Sequence, residues 1–190
     1  NSNARFEMIS RTTNDAIWEW NLETNSIWVN EMHQHLYGLT LRDPVPDQEE
    51  WKKRIHPDDR DQTTRGLDEA IASEKNVWIS EYRFLTTNDE YKTIYDRTYI
   101  VRDNSGKPLR LLGSMMDITA RKKAEEQIIK EKELSDFIIN SLPGVFYFYD
   151  ENLKLIRWNR QLEAITGYTS PELSEMNPQN LFDGEDRIHM

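Results

Sequence analysis

Few groups in this sequence are of a type and spacing that could do chemistry. Asp58 and Asp59 are adjacent carboxylates, His56 stands two residues before the first of them, and His33 and His35 lie two apart. An acid/base pair needs two carboxylates aimed at one substrate, whereas neighbours in the first turn of a helix diverge and complement its dipole. On a helix His33 and His35 point apart as well, so they do not share a metal. His56 is open to two readings, a protonation sensor or a residue that leads the backbone into the next helix. There is no cysteine, which removes disulfides, thiolate nucleophiles and cysteine-based zinc or iron–sulfur sites. No Gly-rich nucleotide loop and no phosphoacceptor-type histidine context occurs. Neither a catalytic set nor a metal site is expected, and the chain is expected to bind or relay.

Composition narrows the partners. A net charge of −10, from 24 Lys and Arg against 34 Asp and Glu, repels a phosphate backbone, so no nucleic-acid partner is expected. No run approaches the roughly 20 apolar residues of a membrane span. A reducing, cytoplasmic setting and no membrane contact are expected. Hydrophobic residues at 37% and six Trp suffice for a packed core. Asn1-Ser2-Asn3-Ala4 reads as a tag remnant, and the chain as an excised segment of a longer protein.

The elements that must position these groups follow from periodicity. Arg5 to Asn14 suggests a short amphipathic helix. Ile17 to Leu22 and Ser26 to Val29 read as a hairpin across the turn Glu23-Thr24-Asn25. Glu31 to Leu36 looks helical with Gly38 to end it, Glu49 to Ile55 forms a short turn of helix, and Pro57 opens the longest helix. Val77–Thr86, Tyr91–Arg102 and Leu109–Ile118 then make a three-stranded meander. Strand–strand–helices–strand–strand–strand is an α+β domain, a five-stranded antiparallel sheet with short helices on one face. Ala120 to Ser141 has neither Pro nor Gly and predicts one solvated helix of about 20 residues. Along it Ala124, Ile128, Ile138 and Leu142 mark a heptad seam that Glu131 and Ser135 interrupt.

The sequence repeats itself. Ile17-Trp18-Glu19-Trp20, Asn30 and Tyr37-Gly38-Leu39-Thr40 return as Val145-Phe146-Tyr147-Phe148, Asn159 and Thr166-Gly167-Tyr168-Thr169, with one residue inserted in the second hairpin. Pro57-Asp58-Asp59-Arg60 is loosely echoed at Gly184-Glu185-Asp186-Arg187, before the copy reaches its meander. Truncated in this way, the second copy should expose Phe146, Phe148 and Trp158 to a covering partner or to further chain.

Trp18-Glu19-Trp20-Asn21, Ile55-His56-Pro57-Asp58-Asp59-Arg60, Glu81-Tyr82-Arg83, Val101 to Pro108, Leu112-Gly113, Asp117-Ile118-Thr119 and Arg121-Lys122-Lys123-Ala124-Glu125 resemble, in the family's order, the PAS family, in particular its subgroup with a Trp-rich first strand. Tyr95 departs from the pattern, lying about where that subgroup often carries a Trp at the pocket floor. The resemblance implies a first PAS domain over 5–118, a signalling helix over 119–141 and the N-terminal part of a second PAS domain over 142–190. It implies a sensory, non-catalytic module serving an output domain in the same polypeptide, commonly a histidine kinase or a cyclic-dinucleotide enzyme such as a diguanylate cyclase. A homodimer is expected. The alternative is a ligand-free dimerisation or protein-interaction module.

Such domains often hold a ligand between sheet and long helix, and Trp18, Trp20, Tyr82, Phe84 and Met115 are its expected wall. Equally, these side chains could simply fill the core. The missing cysteine excludes a thiol-linked flavin. Haem-binding members ligate iron through a histidine on the long helix, and Pro57 to Glu74 contains none, so haem is not expected either. A non-covalent flavin or a small metabolite stays open, and no cofactor is expected outright. The joint Asp117, Thr119, Arg121 is the expected signal exit. There Thr119 is a helix cap, and Asp117 offsets the charge of Arg121-Lys122-Lys123, which the helix dipole disfavours by roughly 0.3–1 kcal/mol each.

Overall fold

In the computed structural model of the chain, residues 15–40, 42–86 and 89–176 are described. The helix expected over 5–14 and the echo at 184–187 lie outside them. β1 (Ala16–Asn21) and β2 (Ser26–Val29) form the first hairpin. Three helices follow, α1 (Glu31–Tyr37), α2 (Gln48–Arg54) and α3 (Pro57–Ala72). The meander is β3 (Val77–Leu85), β4 (Tyr91–Arg102) and β5 (Pro108–Asp117). The order β2-β1-β5-β4-β3 is antiparallel throughout, so the last strand is laid beside the first.

Period-2 alternation divides the side chains between two faces. Ala16, Trp78, Tyr82, Phe84, Ile94, Ile100, Leu111 and Met115 are buried together with Tyr37 of α1, Ile55, and Leu67 and Ala70 of α3. On the opposite phase Val77, Ile79 and Tyr99 are exposed. Tyr95 belongs to that outer phase, between Glu81 and Met116 in register, so it lies on the face away from the core and is no pocket floor.

Local chemistry sets the helix ends. The Asn30 carboxamide oxygen accepts the His33 amide to start α1, and Gly38 ends it in the left-handed conformation at φ 65°. Asp47 caps α2 through the Glu50 amide. Pro57 opens α3, where a fixed φ suits the first helical position, and the His56 ring nitrogen Nδ1 accepts the Asp58 amide at 3.3 Å.

α4 (Thr119–Ser141) leaves the end of β5. Beyond it come β6 (Tyr147–Tyr149), β7 (Leu155–Trp158), α5 (Arg160–Thr166) and α6 (Ser170–Glu175). The chain divides between Lys123 and Ala124 into two compact units. In the second, Leu155, Leu162 and Leu173 form a small core with Tyr147 and Trp158 against it. Phe148 is exposed there, whereas Phe146 and Trp158 are half-buried.

The repeat is real, with a corrected register. Ile17 both donates to the Asn30 side chain and accepts from its backbone amide, and Phe146 stands in the same relation to Asn159. Ile17 therefore corresponds to Phe146 rather than Val145, and no residue is inserted. Separately, the second hairpin carries a bulge, where Tyr149 pairs with Leu155 instead of Ile156.

Candidate functional site in the core and at the strand–helix joint

Two places gather polar groups against this frame. The first is the interior between the sheet and α1–α3. Trp18 lies flat over Gly113, its cross-strand neighbour; a Cβ at residue 113 would come within 2.1 Å of the indole. Glycine there is what lets a large ring cover the sheet. Trp18, Trp20 and Met115 line a cavity of about 50 Å³ together with His33, Tyr37 and Trp51. That is room for a few waters, against roughly 300–1,000 Å³ in sites for drug-sized ligands. Tyr82 and Phe84 lie outside this lining, deeper in the core, where Phe84 is fully buried and meets Tyr37 edge-on at 5.0 Å.

His33 is 5% exposed, stacks on Tyr37 at 4.7 Å, and its Nδ1 has no hydrogen-bond partner among the described residues. Burial alone pushes its pKa down to about 4, so the ring is neutral at pH 7. Asp96 of β4 is buried at 1% exposure and accepts the Tyr82 hydroxyl at 2.7 Å on one oxygen and the Thr98 hydroxyl at 3.4 Å on the other. Tyr82 in turn accepts the Trp51 indole N–H at 2.9 Å. Burial raises the Asp96 pKa to about 7, and the two hydroxyls only partly offset it. Sequence reasoning missed both groups. For Asp96 the signal was present: in Ile94-Tyr95-Asp96-Arg97-Thr98-Tyr99-Ile100 it falls on the apolar phase. For His33 the N3 position next to a cap was the clue, since that position turns inward.

The second place is the exit of β5. Thr119 is the first residue of α4 rather than its cap, and its hydroxyl accepts the Thr93 amide of β4 at 2.9 Å. Asp117 accepts the Thr119 amide at 3.0 Å, supplying an acceptor to an otherwise orphaned helix N–H. Its other oxygen pairs with Lys92 of β4 at 2.7 Å. Burial acts to raise the Asp117 pKa, but the Lys92 ammonium and Thr119 outweigh it and hold the carboxyl below the usual range. The first-turn cations are offset from another strand: Glu81 of β3 pairs with Lys122 at 2.6 Å and with Arg121 at 3.8 Å. The offset expected of Asp117 thus falls to Glu81, because β3 runs past the first turn while Asp117 is turned toward β4.

Asp58 and Asp59 converge on one cation. Asp59 holds Arg83 of β3 by a bidentate pair at 2.7 and 2.9 Å and also accepts the Arg83 backbone amide. The guanidinium hydrogen bond lowers the Asp59 pKa. The pair clamps α3 to the sheet, a structural use of both carboxylates, since Asp58 reaches the same Arg83 at 3.2 Å.

A five-stranded antiparallel sheet in this order, with helices over one face and a helix leaving the last strand, defines a sensor-type α+β domain. The chain belongs to the PAS family: a model described as PAS fold matches residues 26–115, and one described as PAS domain matches residues 143–190. Among solved structures it is similar to a sensory box histidine kinase/response regulator from Burkholderia thailandensis E264, with 26% identity, TM-score 0.56, 69% of this chain and 98% of that one. It is also similar to the N-terminal domain of a diguanylate cyclase with PAS/PAC sensor from Marinobacter aquaeolei, at 25% identity and TM-score 0.51, over 57% of this chain and 98% of that one. Among curated proteins it is 27% identical over 158 residues to the probable diguanylate cyclase DgcE of Escherichia coli (strain K12), covering 83% of this chain. The two-component sensor PprA of Pseudomonas aeruginosa is 27% identical over 147 residues, 75% of this chain. The chain spans 14% and 15% of the lengths of those two proteins. Among the described residues no helix is long and apolar enough to cross a membrane.

Proposed function

We propose that this chain is the sensory part of a cytoplasmic signal-transduction protein, in which a first PAS domain over 5–118 relays conformational change through the 119–141 helix to a second over 142–190. The observation that carries the proposal is the threefold tie on the first turn of α4. Asp117 at the end of β5, Thr93 on β4 and Glu81 on β3 all hold that one turn, and Lys92 of β4 holds Asp117 in place. A shift of any of these strands therefore re-aims the helix, which is a bistable joint of the kind that conformational signalling uses. The segment itself is non-catalytic and works as a homodimer without nucleic acid. Its output domain is of the histidine kinase or diguanylate cyclase type, in keeping with the proteins it resembles.

Asp117→Ala in the full-length protein tests this. It leaves the Thr119 amide and Lys92 without the carboxylate, and the output is expected to lose most of its response to stimulus. An unchanged response removes the joint as the signal exit.

A second reading, a dimerisation or interaction module whose core holds no ligand, is favoured by the small cavity and its aromatic filling. Native mass spectrometry and a visible-absorption spectrum of the purified chain separate the two. A bound flavin or metabolite excludes the empty core.

A further inference from the structure

β4 places one carboxyl on the apolar phase of the sheet, and nothing in the relay described above uses it. Asp96 lies between Ser80 of β3 and Met115 of β5 in register. Tyr82 faces it from β3 and Thr98 from its own strand, and its charge also acts on Tyr37 of α1, on which His33 stacks. α3 contributes the uncharged Thr63 and Leu67 to this core. On Tyr37 in turn act Arg54, which lies over its ring at 5.1 Å, and Glu50 and Asp47. Among the described residues no Lys, Arg or His is an ion-pair partner of Asp96. A carboxylate can accept about four hydrogen bonds, and this one, buried, is offered two neutral hydroxyls by the protein.

We propose that Asp96 is a proton-binding switch that governs the attachment of α2 to the sheet. Protonated, the acid gives its hydrogen from Oδ1 to the Thr98 hydroxyl and accepts Tyr82 on Oδ2, closing the chain Trp51–Tyr82–Asp96–Thr98 with no buried charge. When the proton leaves to solvent, the Thr98 hydroxyl must turn to donate alongside Tyr82, to an anion whose remaining lone pairs call for water. Water enters most readily at α2, which buries no residue fully and is joined to this chain through the Trp51 indole. Rising pH therefore loosens α2. The raised pKa of about 7 puts the change near neutrality, and neutral His33 contributes no compensating charge there.

The test is a titration of the 190-residue chain by NMR from pH 4 to 9, following the Asp96 carboxyl carbon and the Trp51 indole N–H together. Both are expected to move with one midpoint near neutral pH. Asp96→Asn should hold the Trp51 resonance at its low-pH position throughout, and Tyr82→Phe, which deletes a donor to the anion, should shift the midpoint upward. A carboxyl that titrates in the ordinary range near 4, or a Trp51 transition that survives Asp96→Asn, overturns the proposal. The carboxyl titration needs no variant, so poor folding of either substitution leaves the outcome readable. It is also separate from the Asp117→Ala output assay, which can fail or succeed on its own.

Discussion

The two copies of the repeat build the same frame and fill it differently. In each, a buried asparagine ties the first strand of a hairpin to the helix that follows. Asn30 accepts from the Ile17 and His33 amides and donates to the Asp15 carbonyl. Asn159 accepts from Phe146 and Leu162 and donates to the Gly144 carbonyl. Each helix ends on a left-handed glycine, Gly38 or Gly167. The inward third helical position is His33 in the first copy and Leu162 in the second. Trp18 and Trp20 become Tyr147 and Tyr149, stacked on each other at 6.2 Å. Backbone groups that must be satisfied leave little choice of residue, whereas the inner face tolerates any shape that packs. A leucine, Leu162, serves the second copy at the place where His33 carries a ring nitrogen with no partner among the described residues.

The largest test of that contrast is pH. Asp96 has a folded pKa above its ordinary value, so the native state holds the extra proton between about pH 4 and 7. Stability from this group is full below that window and falls by about 4 kcal/mol as pH rises through it. His33 has a lowered pKa, so the unfolded state holds the extra proton between about pH 4 and 6.5. Its contribution rises by about 3 kcal/mol over that range. The two oppose each other in the native chain. Between about pH 4 and 7, urea denaturation of the first domain should therefore change less with pH than either group alone would make it. Asp96→Asn should turn it upward with pH, and His33→Leu downward. Parallel curves in all three proteins would break the contrast.

Next in size is the shared frame. Asn30→Ala strands two amides and a carbonyl, for an expected loss of about 3 kcal/mol in denaturant unfolding. Asn159→Ala should remove hydrogen-exchange protection at the Phe146 and Leu162 amides to a similar degree. An effect in one copy alone would show that the asparagines are not equivalent. Gly113→Ala, which drives a methyl into the Trp18 indole, should cost about 1–3 kcal/mol and change the near-UV circular dichroism of the tryptophans. The smallest effect belongs to His33→Leu at pH 7. Giving the first copy the residue of the second removes the unpaired Nδ1 and should stabilise by about 1 kcal/mol. A clear destabilisation would mean that a water or ligand satisfies that nitrogen.

Much of the fold was legible because it rests on local signals. Alternation in Val77–Leu85 and Tyr91–Arg102, Pro57 at the first helical position, and Gly38 each act within a few residues, where propensity and hydrogen-bonding capacity decide. The repeat was legible for the same reason, though sequence alone aligns its first strand one residue early, because Val145 and Phe146 are both apolar and only the asparagine hydrogen bonds tell them apart. Of the five aromatic and sulfur side chains expected to wall a pocket, Trp18, Trp20 and Met115 line the cavity and Tyr82 and Phe84 do not. All five share a face, but how far each reaches toward the helices is not a property of its strand.

By itself, then, the sequence determined a five-stranded antiparallel sheet, a helix after it and the start of a second copy, since periodicity and turn chemistry are written along the chain. Tertiary structure alone decided who answers whose charge. Glu81 rather than Asp117 meets the cations of α4, Asp59 takes Arg83, and Asp96 has no ion-pair partner among the described residues. Pairings of that kind join residues 24 to 41 positions apart in sequence, and are set by which strands the fold makes neighbours. Electrostatics falls off over a few ångströms of space, and distance along the chain says nothing about it.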